Sequence, residues 1–328
     1  MTADAAALLR RSPYFSHFSD ADLALAAKSV RLERASSGAM VVRQNDSTAD
    51  AYFLASGKVR ISRNTPYGRY TLAFLSAGDL FGEASFLDRR GRSGDVVAEG
   101  DAELIVLAAE PLAAACEQST HFAVALHWAF WKSLSGKLRM ANEQLLKFFT
   151  AGSGTPLDNG PSRRSSTGQF QVGMATKRQL FEEQKLSALE INFLTSLSKA
   201  RKFSPGELIF REGEPGDRLY VVLEGQVRIS KFIPGAGEEA LAFLDRGNYF
   251  GEMALIDNAP RSADARAHTD GAVVLAIPRE AVEGLLDIRK VTSHRLLRLL
   301  CSLVAQRLRE IDEKIIGWYI LSGGGGPN

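Results

Sequence analysis

Residues 250–267 read FGEMALIDNAPRSADARA, and residues 81–98 read FGEASFLDRRGRSGDVVA. Both open on Phe-Gly-Glu, and both reach Arg-Ser after the same spacing, Glu83 to Arg92 and Glu252 to Arg261. Glycine lets a backbone N–H come close to an oxygen because no Cβ stands in the way. A carboxylate accepts hydrogen bonds from hydroxyl groups, and a guanidinium offers a planar fork of donors that matches phosphate oxygens. A string with all three at fixed spacing suits a small anion that carries a sugar.

Outward from these strings the whole chain repeats. AYFLASGKVRIS at 51–62 matches LYVVLEGQVRIS at 219–230, an offset of 168; LAFLSAGDLFGE at 72–83 matches LAFLDRGNYFGE at 241–252, an offset of 169. KLRMANEQL at 137–145 then matches RLREIDEKI at 307–315, an offset of 170. Three blocks in one order at nearly constant offset are a tandem duplication. Within each copy Val227 and Ile229 alternate with Arg228 and Ser230, and Gly57 and Gly225 punctuate identical contexts, so short strands joined by glycine turns are expected. Regularly spaced strands of this kind form a sandwich or jelly roll. Helices flank it. Ser19 is an N-cap candidate for SDADLALAAKS. An apolar stripe of Leu297, Leu300, Val304, Leu308, Ile311 and Ile315 closes the second copy, and Leu134, Leu138, Ala141 and Leu145 close the first. The fold expected is mainly β with flanking α-helices, as two tandem β-jelly-roll domains at 1–150 and 177–322. A flexible Gly/Ser/Pro-rich linker at 151–176 joins them, and a disordered tail at 323–328 follows.

A length of 328 residues fits two domains better than one, and 45% hydrophobic with 24% charged residues is a soluble globular composition. A net charge of +2 makes no nucleic-acid footprint. Cys116 and Cys301, one per copy, read as buried thiols in a reducing cytoplasm. No secretory signature and no run of about 18 apolar residues is present, so neither export nor a membrane span is expected.

Both strings resemble the phosphate-binding cassette of cyclic-nucleotide-binding domains. That family includes the regulatory subunits of cAMP-dependent protein kinase, nucleotide-gated channels and bacterial catabolite activator proteins. In the second copy the resemblance implies that Glu252, after Gly251, binds the ribose 2′-hydroxyl and that Arg261 pairs with the exocyclic phosphate oxygens. Backbone N–H groups of Met253 and Ala254 would complete the anion nest, and Ser262 would add a hydroxyl. In the first copy Gly82, Glu83, Ala84, Ser85, Arg92 and Ser93 take the same places. There Gly91 replaces Pro260 and loosens the turn that aims Arg92, so weaker binding is expected. By the same resemblance the helix after each roll touches the base, at Asn142 in the first copy and Asp312 in the second. Asp95 and Asp264 either accept from a guanine or are satisfied by a neighbour such as Arg266. Trp128, Trp131, Trp318 and Tyr319 either cover a purine or belong to the core.

The ligand expected is cAMP, with cGMP or a cyclic dinucleotide left open. No catalytic constellation, P-loop, metal-ligand spacing or cofactor motif is found, so a non-enzymatic sensor that switches shape to regulate an unidentified protein partner is expected. No direct DNA binding is expected, since only SGGGGPN follows Leu321. The alternative is a dimeric scaffold, a homodimer through the trailing helices, in which nucleotide only stabilises. Arg163-Arg164-Ser165-Ser166 fits a kinase substrate pattern or a solvated basic linker.

Overall fold

The structure is a computed structural model and describes residues 2–150, 170–233, 237–287 and 293–321. The first copy runs α1 (Thr2–Arg11), α2 (Asp20–Ala27), β1 (Val30–Ala35), β2 (Met40–Val42), β3 (Ala51–Ser56), β4 (Lys58–Thr65), β5 (Gly68–Ser76) and β6 (Leu80–Phe81). It continues with α3 (Glu83–Asp88), β7 (Asp95–Ala98), β8 (Ala102–Leu107), α4 (Ala109–Gln118) and the long α5 (Thr120–Thr150). The second copy follows with α6 (Met174–Glu183), α7 (Ala188–Leu197), β9 (Lys199–Phe203), β10 (Leu208–Phe210), β11 (Arg218–Ile233), β12 (Gly237–Leu244) and β13 (Tyr249–Phe250). Then come α8 (Met253–Asp257), β14 (Asp264–Pro278), α9 (Arg279–Leu285) and α10 (Arg295–Leu321). Of the expected linker, residues up to 169 lie outside the described residues, the Arg163–Ser166 motif included, and its last residues already open α6 at Met174. The tail at 323–328 lies outside them too.

The first roll is two antiparallel sheets, β1-β8-β3-β6 and β2-β7-β4-β5. In the second roll β11 and β14 are long enough, 16 and 15 residues, to run through both layers, so one sheet carries β10-β14-β11-β12 with β9 on β14 and β13 on β11. Alternation of apolar and polar residues sets the faces. Tyr52, Leu54, Val59, Phe81, Leu104 and Val106 fill one core, and Tyr220, Val222, Val227, Phe250, Val274 and Ala276 fill the other. Gly57 and Gly225 adopt φ of 86° and 72°. A side chain at either would strike a backbone carbonyl, of Asp101 or Gly271, so the close approach requires glycine.

Ser19 caps α2 and forms a capping box with Asp22, and Ser187 does the same for α7 with Glu190. Glu190 also accepts from the backbone N–H of Leu296 at 2.9 Å and so holds the start of α10. Of the closing stripe, Leu297, Leu300, Val304, Ile311 and Ile315 are buried and Leu308 is half-buried.

Compact units do not follow the repeat boundary. One comprises residues 1–138 and 304–328, the other residues 139–303. The first unit therefore holds the first roll and the distal part of α10; the second holds the second roll and the distal part of α5. Where the repeats alone divide the chain at 1–150 and 177–322, the folded units exchange the ends of their last helices. Among the described residues no helix is long and apolar enough to cross a membrane.

Candidate functional site

In each roll the Phe of Phe-Gly-Glu anchors the string. Phe81 pairs with Tyr52 across β3 and β6 and stacks on its ring at 4.9 Å; Phe250 pairs with Tyr220 and stacks at 5.1 Å. The chain then turns through Gly82 and Gly251, with φ of 81° and 78°. A Cβ at Gly82 would stand 2.8 Å from Arg92 Nη1, and one at Gly251 would stand 2.5 Å from Arg261 Nη1. The glycines thus leave the space that the guanidinium groups fill.

Arg92 is 3% exposed and Arg261 4%. Arg92 donates from Nη2 to the Asp50 carbonyl at 2.7 Å, from Nη1 to Gly82 at 3.4 Å and from Nε to Thr48 Oγ1 at 3.1 Å. Arg261 donates from Nη1 to the Gly251 carbonyl at 2.6 Å and from Nη2 to that of Arg218 at 2.9 Å. Its Nε is buried without a hydrogen-bond partner. Phe210 lies 4.3 Å from the Arg261 guanidinium and Tyr220 5.8 Å; Tyr52 lies 5.6 Å from that of Arg92. Burial pulls both guanidinium groups down from their ordinary value, against the opposing pull of the neighbouring tyrosines and aspartates. Two buried cations whose hydrogen bonds go to neutral oxygens are primed for an anion, since a phosphate would supply both the charge and the fork geometry they lack.

The two glutamates are buried as well, at 2% for Glu83 and 3% for Glu252. Glu83 Oε1 accepts from Ser133 Oγ at 2.6 Å and Lys137 Nζ at 2.5 Å, both on α5. Neither Ser133 nor Lys137 was singled out by the sequence pattern; a cation one turn after a serine on an amphipathic helix carries no sign that a buried carboxylate will meet it. Ser85, at the first turn of α3, is buried, Ala84 beside it is half-buried, and Met253 and Ala254 of α8 are buried. Ser262 Oγ donates to Met253 Sδ at 3.6 Å, and Ser93 is half-buried beside Arg92.

Asn142 does not accompany the first site. It lines a cleft of about 230 Å³ in the second unit with Arg139, Lys231, Pro260, Arg261 and Ser262, and its Oδ1 is buried without a partner. Asp312 correspondingly belongs to the first unit, where Arg63, Arg309 and Lys137 are its positive neighbours. Half-buried, it loses enough water for its carboxyl to be pushed up to about 7, and the three cations only partly oppose the shift. Each helix position thus serves the roll of the other copy.

The remaining candidates are engaged. Asp95 accepts from the Gln44 N–H at 2.8 Å and from Asn64 Nδ2 at 2.5 Å. Asp264 accepts from the Glu212 N–H at 2.8 Å and from Arg266 at 3.0 Å, the neighbour its sequence context suggests. Trp131 is buried against Trp128, and Tyr319 stacks on Tyr70 at 5.9 Å, so these rings belong to the packing. Cys116 and Cys301 are not in a disulfide. Among the described residues no cluster of three His, Cys, Asp or Glu could hold a metal ion.

The family model of the cyclic nucleotide-binding domain matches residues 32–119 and 200–289, more than half of the chain and one match per roll. A CRP-like cAMP-activated global transcriptional regulator of Mycobacterium tuberculosis is 34% identical over 122 residues, 37% of this chain and 52% of that protein. A cAMP-dependent protein kinase regulatory subunit of Mycosarcoma maydis is 41% identical over 88 residues, covering 27% of this chain and 16% of its own length. A cGMP-dependent protein kinase of Caenorhabditis elegans is 25% identical over 254 residues, 77% of this chain and 26% of the kinase. The chain therefore spans about half the length of the bacterial regulator it matches and less of the other two.

Proposed function

This chain belongs to the cyclic nucleotide-binding domain family, and we propose that it is a non-enzymatic sensor of cAMP, in preference to cGMP, that regulates a protein partner. One observation carries the reading: in both rolls a buried arginine at the end of the Gly-Glu string donates to neutral carbonyls, and in the second its Nε has no partner. In this reading Arg92 and Arg261 take the phosphate, Glu83 and Glu252 take the ribose 2′-hydroxyl, and the turns at Gly82-Ala84-Ser85 and Gly251-Met253-Ala254 present backbone N–H groups. Ser93 and Ser262 add hydroxyls. An adenine is the base preferred in this reading of the second site, since the buried, unpaired Asn142 Oδ1 lies in the cleft with Arg261 and Ser262 and would accept from the adenine exocyclic amino group. Two of the three relatives named above carry cAMP in their names and one carries cGMP. Calorimetric titration with cAMP, cGMP and a cyclic dinucleotide tests the proposal. Two cAMP per chain, the second site the tighter, is the expected result; no heat with any of them would overturn it.

A further inference from the structure

Arg139 on α5 and Arg309 on α10 stand at matching places in the two copies, 170 residues apart. They also touch matching places in the cassettes. In the second unit Arg139 donates from Nε and Nη2 to Asp257 Oδ2 at 3.0 and 2.7 Å, and from Nη1 to the Pro260 carbonyl at 3.2 Å. In the first unit Arg309 donates from Nε to Asp88 Oδ2 at 3.0 Å and from Nη2 to Asp88 Oδ1 at 3.3 Å. Its Nη1 reaches the Gly91 carbonyl at 3.2 Å and Nη2 also reaches Ser85 Oγ at 3.3 Å.

Asp88 and Asp257 end the cassette helices, while Gly91 and Pro260 immediately precede Arg92 and Arg261. A peptide plane held by its carbonyl fixes the direction in which the next residue leaves. Each arginine fork thus pins both ends of the loop that aims a phosphate-binding guanidinium. The pairs are partly shielded, with side chains 15–29% exposed, and two-pronged, which sets them apart from ordinary surface ion pairs.

We infer that Arg139 and Arg309 are positioning residues acting across the duplication: the long helix of each copy aims the phosphate arginine of the other copy. This rests on the reading of Arg92 and Arg261 as phosphate ligands. The first site depends on its clamp more than the second, because Gly91 leaves the loop free where Pro260 already stiffens it.

The test is a crossed design. Arg92→Ala leaves only the second site and Arg261→Ala only the first. In the Arg92→Ala background, Arg139→Gln is expected to weaken cAMP binding roughly tenfold, with Arg309→Gln nearly silent. In the Arg261→Ala background the order reverses, with a somewhat larger loss for Arg309→Gln. The charge swap Arg139→Asp with Asp257→Arg should recover part of the loss, which separates aiming the loop from touching the ligand. Losses at the site of the same copy, or equal losses at both, would overturn the inference. Hydrogen exchange without any nucleotide supplies a readout independent of ligand. Arg309→Gln should speed exchange at residues 85–92 only and Arg139→Gln at 254–261 only, and an uncrossed pattern would refute the clamp. If exchange is crossed yet the wild type binds no cyclic nucleotide, the clamp stands and the sensor reading falls.

Discussion

The two buried cassette arginines differ by one donor. Arg92 Nε reaches Thr48, while the place of Thr48 in the second copy is held by Gly216, and Arg261 Nε is left buried and unpaired. The second copy could not keep a threonine there: a Cβ on Gly216 would run into that of Ala254 and stand 3.2 Å from Arg261 Cζ. The aromatic support differs in the same direction, with Phe210 under Arg261 where the first copy has Val42. Arg92 thus has more of its donors engaged than Arg261, and an anion has more to offer the second arginine. An unsatisfied buried donor is costly, so relieving one adds to binding where a site that must exchange partners gains only a difference.

Several variants can break or sharpen that contrast. The largest effect is expected from Arg261→Ala, which removes one partner of a desolvated charged pair, at ~2–5 kcal/mol of nucleotide binding at the second site. At ~1.4 kcal/mol per decade this is roughly 30- to 3000-fold. Arg92→Ala should cost the first site less, because Thr48, Asp50 and Gly82 already share its donors. Site-resolved titration checks this, and equal losses would erase the distinction between the copies. Next comes Gly216→Thr, which forces the first copy's residue into the crowded second site. Overpacking of this kind costs ~1–3 kcal/mol, read as a drop in second-site affinity together with a lower unfolding midpoint. A variant that binds as tightly as wild type would show that the glycine is not what shapes the site.

The smallest effect is a pH dependence confined to the first unit. Asp312 is raised to about 7 from an ordinary 3.8, so the folded state holds its proton more tightly than the unfolded state does. Its contribution is therefore fully present below about pH 4 and is lost as pH rises through 7. Asp312→Asn removes the loss. The variant should match wild type in acid and exceed it by roughly 1–2 kcal/mol at pH 8, measured by denaturant unfolding. Parallel pH profiles would place Asp312 in water. Asn142, its counterpart in the second unit, titrates in neither protein and so supplies the contrast.

Much of this was legible in the residues themselves. The Glu-to-Arg spacing, repeated once, announced two cassettes, and Gly57 and Gly225 marked turns whose positive φ the backbone indeed adopts. Ser19 read correctly as a cap because its partner Asp22 lies within one turn. The exchange of helix ends was not legible. An apolar stripe such as Val304, Ile311 and Ile315 states that a face must be buried and says nothing of which roll will bury it. Arg139 and Arg309 stand in plain alignment, yet their partners Asp257 and Asp88 are 118 and 221 residues away, a separation no local pattern encodes. Asn142 and Asp312 follow their own rolls in sequence, yet Asn142 lies in the second unit and Asp312 in the first, a placement that sequence order does not specify.

The exchange has a consequence for dissection. A protease that cuts once between residues 151 and 169 would yield two fragments, and neither would carry a whole site: one holds the first cassette but lacks Arg309, the other holds the second cassette but lacks Arg139. Fragment complementation then becomes a property of the design. The halves regain both clamps only by finding each other, so the same chain, split at one bond, is an assay for its own assembly.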